Sequence, residues 1–297
     1  MTSLSIVTDA SSDLPRDLVD EYNIHMTPIR VIFGEEKVYE FFSDWGSITK
    51  EEFYQKLRTS EELPSTAIPP PKSYFEIFEE ASKNNKEILA IFASSKLTGI
   101  VQSAQRVANQ MEDKDITIID SKVAGPALGL LVLEAAKMAQ NGASKDEIIT
   151  KVNQLISQVA HTSIMDTLEN VYRSGRVSFV KKFMGEAFKI KPIIHFKDGE
   201  TSSGGTLRGS NQVLERLKFL GTKAVNHAVT DHVFIWHTQN FDKAQEIKQI
   251  MEEANNNGKE IRILEAGPII GTHLGENMLG VVYLGKYHKR WLLKMKD

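Results

Sequence analysis

Short apolar runs that alternate with helical patterns constrain the fold of this chain more than any other feature. A chain that repeats strand and helix in this way is typical of a parallel sheet covered by helices on both faces. In such sheets, ligands bind outside the carboxyl ends of the strands. The strands predicted in the first half lie at residues 4–7, 28–33, 88–92 and 116–119.

The pattern changes near residue 160, where short apolar runs mix with "RSGRVS". Beyond it, "KPIIHFKDGET" indicates a strand and a hairpin turn, and "TSSGGTLRGS" indicates a loop before a helix. A strand, a helix and a strand follow within residues 232–264, and "GVVYLG" indicates a last strand. A length of 297 residues favours roughly two domains. We therefore predict an α/β domain at residues 1–160 and a second α/β domain at residues 161–297.

Composition narrows the class of protein. With 41% hydrophobic and 25% charged residues, the chain resembles an ordinary soluble globular protein. A net charge of -3 gives no basic field, so we predict no nucleic-acid partner. The absence of cysteine excludes disulfides and thiolate catalysis. The N-terminus lacks the charged region of a signal peptide, and no apolar run reaches the roughly 20 residues of a membrane span. We predict a cytoplasmic protein.

No pattern of metal or cofactor ligands occurs in the sequence. Zinc and calcium spacings are missing, as are the phosphate-binding and dinucleotide-binding glycine motifs. We therefore predict neither a metal nor a cofactor.

A hydroxyl-rich turn, "ASSKLTG", follows the predicted strand at residues 88–92. Ser95 or Thr98 could simply cap the next helix, which is a common role for such residues. Alternatively, the hydroxyls of Ser94, Ser95 and Thr98 and the free N–H groups of the helix could bind an anion. Both interpretations can hold together.

Two further segments carry candidate ligand groups. The stretch "PSTAIPP" is a stiff connector, or it holds Thr66 rigidly so that Thr66 and Thr98 share one oxyanion. The stretch "GPIIGTHLGENMLG" is a close-packed turn with His273 as an ordinary polar residue. Alternatively, its glycines let the backbone approach a ligand and His273 donates to a carboxylate.

Charged segments also have two interpretations. Arg173 and Arg176 in "YRSGRVS" lie on a solvated loop, or they recognise a phosphate or an acidic partner. Asp9 and Asp13 in "TDASSDLP" fit carboxylates near a helix N-terminus. The tail "KYHKRWLLKMKD" is an exposed last turn by default, although transient contact with an anionic membrane surface is an alternative.

Taken in order, seven segments resemble the DegV family: "TDASSDLP", "STAIPPP", "SSKLTGIVQSA", "IDSKVAGPALG", "RSGRVS", "KPIIHFKDGE" and "GPIIGTHLGENMLG". The resemblance runs nearly end to end. It implies a three-layer α/β/α N-terminal domain with a parallel sheet, a two-layer α/β C-terminal domain with a mixed sheet, and a ligand cleft between them. It also implies a protein that binds one long-chain fatty acid. Such a protein is not itself an enzyme, because it presents the acid to a separate ATP-binding kinase subunit that makes an acyl phosphate.

The resemblance also assigns roles to individual residues. It implies that the fatty-acid carboxylate is bound by Thr66, Ala67, Thr98 and His273. Further candidates for the ligand cleft are Ser94, Ser95, Gly99, Gly271 and Thr272. Arg176 would contact the partner kinase. The sequence departs from the family pattern at Ala67, Thr98 and Glu276, which leaves the choice of ligand open.

Two other functions stay open at this point. The same fold occurs in dihydroxyacetone kinase subunits, so the chain could be a small-molecule kinase subunit or an acyl-transfer enzyme that uses His273 with Ser94 or Ser95. It could also be a regulatory lipid sensor with no catalysis downstream.

Overall fold

The structure is a computed structural model and describes residues 4–34, 37–83, 87–167, 169–175 and 190–295. The chain divides into two compact units. The first comprises residues 1–157 and 267–272, and the second comprises residues 158–266 and 273–297. A short segment near the C-terminus thus returns to the first unit. The domain limits 1–160 and 161–297 stay a prediction.

The first unit is built on a parallel sheet. Its strands are β1 (Leu4–Asp9), β2 (His25–Thr27), β6 (Glu87–Phe92) and β7 (Asp115–Asp120), in the order β2-β1-β6-β7. Every pairing in this sheet is parallel. The helices of this unit are α1 (Arg16–Glu21), α2 (Lys50–Thr59), α3 (Pro71–Ala81), α4 (Ile100–Ala108), α5 (Pro126–Gln140) and α6 (Lys145–Ile156). Helices α3 and α4 pack together against the sheet, and α5 packs against β1, β6 and α6. The predicted α/β class and parallel sheet are confirmed.

Local signals place several helix starts correctly. Thr49 and Glu52 form a capping box at the start of α2, with the Glu52 N–H donating to Thr49 Oγ1 at 3.1 Å. Ser144 and Glu147 form the second one at the start of α6. Each box satisfies two backbone N–H groups that lack helical partners. Helix α5 is buried nearly all round, as its apolar sequence indicates.

A small antiparallel sheet in the first unit differs from the sequence prediction. Its strands are β3 (Ile29–Phe33), β4 (Lys37–Phe41) and β5 (Ser65–Ala67), in the order β4-β3-β5. The predicted strand at residues 28–33 therefore lies outside the parallel sheet. Pro28 has no N–H to donate to a ladder, which explains why β2 ends before it. The stretch "PSTAIPP" contains a short strand instead of serving only as a connector.

The second unit is built on a mixed sheet. Its strands are β8 (Val159–Ile164), β9 (Lys191–Lys197), β10 (Glu200–Leu207), β11 (His232–His237), β12 (Glu260–Glu265) and β13 (Leu279–Leu284), in the order β10-β9-β8-β13-β11-β12. Within this sheet, as far as the described residues show it, the β11–β12 pairing is parallel and the other pairings are antiparallel. The helices of this unit are α7 (Glu169–Arg173), α8 (Gly209–His227) and α9 (Phe241–Glu253), whereas α10 (Pro268–Leu274) begins in the segment that belongs to the first unit. The predicted mixed sheet is confirmed.

Strand β10 corrects the predicted loop at "TSSGGTLRGS". Residues with low strand propensity are held there by pairing with β9, across a turn in which Asp198 and Gly199 both have positive φ. A bulge between Ser203 and Gly205 accommodates the two glycines. Tertiary pairing overrides the local pattern at this position.

The C-terminal tail is part of the core of the second unit. Helices α8 and α9 pack on one face of the mixed sheet, together with Trp291 and Leu292. The Arg216 guanidinium donates to the backbone oxygens of Trp291 and Leu293, at 2.9 Å each. The expectation of an exposed last turn is wrong for Trp291 and Leu292, although Leu293 is exposed. None of the helices within the described residues combines the length and the hydrophobicity that crossing a membrane requires.

Candidate functional site

The hydroxyl-rich turn lies at the carboxyl end of β6. The N–H groups of Leu97 and Thr98 both donate to the Ser94 carbonyl oxygen, at 2.9 and 3.1 Å, and close the turn tightly. Ser94 itself is buried, and its N–H donates to the Val123 carbonyl oxygen at 2.8 Å. The turn is therefore fixed both within itself and against the segment that follows β7.

Ser95 has a structural partner in this turn. Its hydroxyl donates to the Asp120 carboxylate at 2.5 Å, and its N–H donates to the same carboxylate at 3.3 Å. Asp120 also accepts from the Lys122 N–H at 2.9 Å. These contacts join the carboxyl ends of β6 and β7. The geometry thus accounts for Ser95 as a residue that holds the turn.

The capping interpretation of this turn is wrong. The N-cap of α4 is Gly99, and no side-chain cap hydrogen bond is made at this helix start within the described residues. Ser95 and Thr98 therefore leave the N–H groups of the first helical turn uncapped. Thr98 is half-buried directly before this helix start. Uncapped N–H groups with the positive end of the helix dipole favour an anion at this position.

The structure brings the segment around Thr66 close to this turn. A Cβ atom built on Gly99 would lie 3.6 Å from Ile68 Cδ1. Thr66 and Ala67 precede Ile68 on strand β5, where Thr66 pairs with Val31 of β3. Two of the predicted hydroxyl-bearing segments are therefore neighbours within the first unit.

Sequence reasoning missed one cation beside this position. Arg30 lies directly opposite Ala67 in the β3–β5 ladder, so the two side chains share a face. Its Nη2 donates to the Ile68 carbonyl oxygen at 3.4 Å, and its Nε is buried without a hydrogen-bond partner among the described residues. The guanidinium adds positive charge next to the predicted anion site. Its relation to β5 depends on strand pairing, which the local pattern does not reveal.

The two aspartates of "TDASSDLP" anchor the candidate segments. Asp9 is fully buried and accepts from the Ala93 N–H at 2.9 Å, directly before the hydroxyl-rich turn. It also accepts from the N–H and the hydroxyl of Ser11. Burial raises the pKa of the Asp9 carboxyl, although these hydrogen bonds act in the opposite direction. Asp13 accepts from the Gly267 N–H at 3.1 Å, directly before α10. Asp9 does lie at a helix N-terminus, as the N-cap of the short 3₁₀ helix Ala10–Ser12, but the sequence did not predict the long-range contacts with Ala93 and Gly267.

Helix α10 replaces the turn that the glycine-rich sequence indicates. A Cβ atom on Gly267 would lie 2.5 Å from the Ser43 carbonyl oxygen, and one on Gly271 would lie 2.7 Å from the Tyr54 hydroxyl. These glycines thus permit close packing within the protein. The Thr272 hydroxyl donates to the Pro268 carbonyl oxygen at 2.8 Å, inside the helix.

His273 lies in the last turn of α10 and is half-buried. It falls in the second unit, whereas Thr66, Ala67 and Thr98 fall in the first. Its convergence with those residues therefore stays a prediction. Arg176 lies outside the described residues. Within the described residues, no group of three or more histidine and carboxylate side chains is placed to hold a metal ion.

The mixed sheet of the second unit presents a buried apolar face opposite α8 and α9. We call it the aromatic face and define it by Ile194, Phe196, Phe234, Trp236 and Val282. Strand pairing places these side chains on one side of the sheet, and all but the half-buried Phe196 are buried. Sequence reasoning did not identify this surface. The sequence indicates it only through apolar residues that lie two positions apart on one strand, since such residues point to the same side of a sheet.

Taken together, the fold and these features define an α/β protein with a candidate anion site at a strand end and a buried apolar sheet face. The chain belongs to the DegV family, because the family model described as "uncharacterised protein, DegV family" matches residues 3–286.

Individual relatives match over nearly the whole chain. A DegV domain-containing protein of Caldanaerobacter subterraneus is 33% identical, over 95% of this chain and 99% of that protein. A solved structure described as fatty acid binding of a DegV family protein from Thermus thermophilus is 26% identical, with a TM-score of 0.85 over 96% of this chain and 100% of that one. The structure of DegV, a fatty acid binding protein from Bacillus subtilis, is 26% identical, with a TM-score of 0.83 over the same shares.

Proposed function

We propose that this protein binds one long-chain fatty acid, with its carboxylate at Thr66, Ala67, Thr98 and His273. The observation that carries the proposal is the match to two DegV proteins that are described as fatty-acid-binding, each 26% identical to this chain. The uncapped start of α4 supports the position of the carboxylate.

The chemistry of these groups suits a carboxylate. Hydroxyls of Thr66 and Thr98 and the N–H of Ala67 are donors, and His273 adds a further donor in its protonated form. Charge-assisted hydrogen bonds to a carboxylate are roughly twice as strong as neutral ones. Arg30 contributes favourable charge from the adjacent strand. Each buried CH₂ group of the acyl chain would add about 0.8 kcal/mol.

The bound acid would serve as the substrate of a separate ATP-dependent kinase subunit. A carboxylate oxygen attacks the γ-phosphorus of ATP, ADP leaves, and an acyl phosphate forms that can feed phospholipid synthesis. In this scheme the present chain binds and orients the acid, and it supplies no cofactor. Arg176 would contact the kinase as a planar cationic fork. Because ATP is the phosphoryl donor in this scheme, we propose that the protein acts in the cytoplasm.

Few apolar residues of the C-terminal tail are exposed and able to contact a membrane. Trp291 and Leu292 are buried in the core of the second unit. Transient contact with an anionic surface would therefore rely on the exposed Leu293 and Met295 and on nearby lysines. Such contact would assist the uptake of fatty acid from a bilayer.

Mass spectrometry of an organic extract from the purified, denatured protein tests the proposal most directly. We expect a stoichiometric long-chain fatty acid. If the extract is empty and the protein takes up neither added palmitic nor oleic acid, lipid binding is refuted.

Two variants separate the assigned roles. Thr98→Ala should weaken binding of palmitic acid roughly tenfold, because the carboxylate loses one charge-assisted hydrogen bond. Thr98→Ser is the matched control, since it keeps the hydroxyl and should keep the affinity. Arg176→Ala should leave the affinity unchanged and reduce phosphorylation by a partner kinase. Equal loss of binding in the two alanine variants would contradict this division of roles.

A further inference from the structure

Two asparagines of this chain directly precede a glycine: Asn141 before Gly142 and Asn257 before Gly258. In such a pair the backbone nitrogen of the glycine can attack the asparagine side chain, because glycine has no Cβ to hinder the approach. All four residues are exposed, so access to solvent does not distinguish the two pairs. Their hydrogen bonds do distinguish them.

The backbone of the first pair is held at the end of helix α5. Asn141 is the C-cap of this helix, and its N–H donates to the Lys137 carbonyl oxygen at 3.0 Å. The Gly142 N–H donates to the Ala139 carbonyl oxygen, also at 3.0 Å. This hydrogen bond must open before the nitrogen of Gly142 can lose its proton and attack. The helix end therefore protects the first pair.

The second pair lies in the turn between α9 and β12 and lacks this protection. The Gly258 N–H makes no hydrogen bond within the described residues. A Cβ atom built on Gly258 would meet nothing within 4 Å, so the space beside this nitrogen is open. Solvent can therefore remove the proton of the Gly258 N–H without first breaking a contact in the protein.

The side chain of Asn257 links this turn to the end of helix α8. Its Nδ2 donates to the Val225 carbonyl oxygen at 3.2 Å, in the last turn of α8. Asn255 closes the turn, since its Oδ1 accepts from the Lys259 N–H at 2.9 Å and its Nδ2 donates to the Lys259 carbonyl oxygen at 2.7 Å. A chemical change at Asn257 would therefore act directly on α8.

We propose that Asn257 is a site of spontaneous deamidation. The Gly258 nitrogen loses its proton and attacks Cγ of Asn257. The new C–N bond closes a cyclic imide, the bond from Cγ to Nδ2 breaks, and Nδ2 takes up a proton and leaves as ammonia. Water then opens the imide at either carbonyl carbon and leaves aspartate or isoaspartate. The reaction consumes only water, and the inference goes beyond the proposed function and does not depend on it.

Deamidation should weaken the end of α8. A carboxylate at position 257 cannot donate to the Val225 carbonyl oxygen, so one hydrogen bond is lost. The new negative charge also lies beside the last carbonyl groups of the helix, where the helix dipole is negative and disfavours it. Val225 is buried in the core of the second unit, on which α8 packs. Chains that have reacted should therefore unfold at a lower urea concentration than fresh ones.

Incubation of the purified full-length protein in mildly alkaline water enriched in heavy oxygen tests the proposal. Digestion and mass spectrometry then locate each new acid, and the heavy oxygen marks acids that formed during the incubation. We expect Asn257 to react roughly tenfold faster than Asn141, the ratio that opening one backbone hydrogen bond produces. Asn257→Gln is the matched control, because its longer side chain would have to close a larger ring and should take up no label. Asn257→Asp should lower the urea midpoint, as deamidation does.

Each outcome bears on a separate step. If Asn257 takes up no label, or if Asn141 reacts as fast or faster, the assignment of the site is overturned. If Asn257→Asp has the same urea midpoint as the unreacted wild-type protein, the effect on α8 is overturned. Labelling of the wild-type protein decides the assignment even if Asn257→Asp does not fold.

Discussion

Replacement of His161 by leucine should make the protein less sensitive to acid. Burial lowers the pKa of His161 to about 3 in the folded protein, from the ordinary value of 6.5 that applies to the exposed imidazole of the unfolded chain. Above a pH of about 6.5, the imidazole is neutral in both the folded and the unfolded chain, so it does not make the free energy of unfolding depend on pH. As the pH falls below 6.5, the unfolded chain binds a proton that the folded protein does not bind. The free energy of unfolding therefore decreases as the pH falls from about 6.5 to about 3.

The size of this effect follows from the linkage relation. One pKa unit corresponds to about 1.4 kcal/mol, and a buffer at pH of about 5 lies roughly one and a half units below the unfolded value. His161 should therefore remove about 2 kcal/mol of stability between neutral pH and pH of about 5. With a urea dependence of about 2 kcal/mol per molar, the midpoint should shift by about 1 M. His161→Leu should lose this part of the acid sensitivity.

Urea unfolding at the two pH values, followed by circular dichroism, measures the difference. Val282→Ala is the control, because Val282 lies opposite His161 and its truncation should lower stability equally at both pH values. The nearby His195, whose pKa is also lowered by burial, contributes to the acid sensitivity of all three proteins. If the wild-type protein and His161→Leu lose the same stability on acidification, the imidazole is not buried and neutral as described.

Two further substitutions test how the candidate segments are anchored. Gly267→Ala places a Cβ 2.5 Å from the Ser43 carbonyl oxygen and disturbs the hydrogen bond to Asp13, so it should lower the free energy of unfolding by roughly 3–5 kcal/mol and weaken fatty-acid binding. Gly99→Ala is the control, because the nearest atom is 3.6 Å away and the loss should stay below about 1 kcal/mol. Equal urea midpoints for the two variants would contradict the packing argument. Asp9→Ala removes the acceptor of the Ala93 N–H, so it should lower the free energy of unfolding by roughly 2–4 kcal/mol and also lower the affinity for palmitic acid. An unchanged affinity in calorimetry would show that Asp9 does not position the turn.

Local signals in the sequence predicted a large part of the first unit. Capping boxes at Thr49 and Ser144 fixed helix starts, because a cap depends only on residues a few positions apart. The strand at residues 88–92 and the turn after it were recognised from a continuous apolar run followed by hydroxyls. Such features need no knowledge of distant partners.

Other features depend on contacts between distant parts of the chain. "TSSGGTLRGS" has the composition of a loop and yet contains β10, because pairing with β9 supplies its hydrogen bonds. "GPIIGTHLGENMLG" has the glycine content of a turn and yet begins with α10, because its glycines pack against Ser43 and Tyr54. The charged composition of the C-terminal tail predicts an exposed segment, whereas Trp291 is buried in the core of the second unit.

The sequence by itself determined the α/β class, the two-part organisation and the family, since these follow from periodicity and from the order of motifs. The tertiary structure decided which side chains become neighbours: Asp9 with Ala93, Arg30 with Ala67, and His161 with the aromatic face. The physical reason is that strand pairing brings together residues far apart in the chain. A local pattern records the period of a strand but not the identity of its neighbour.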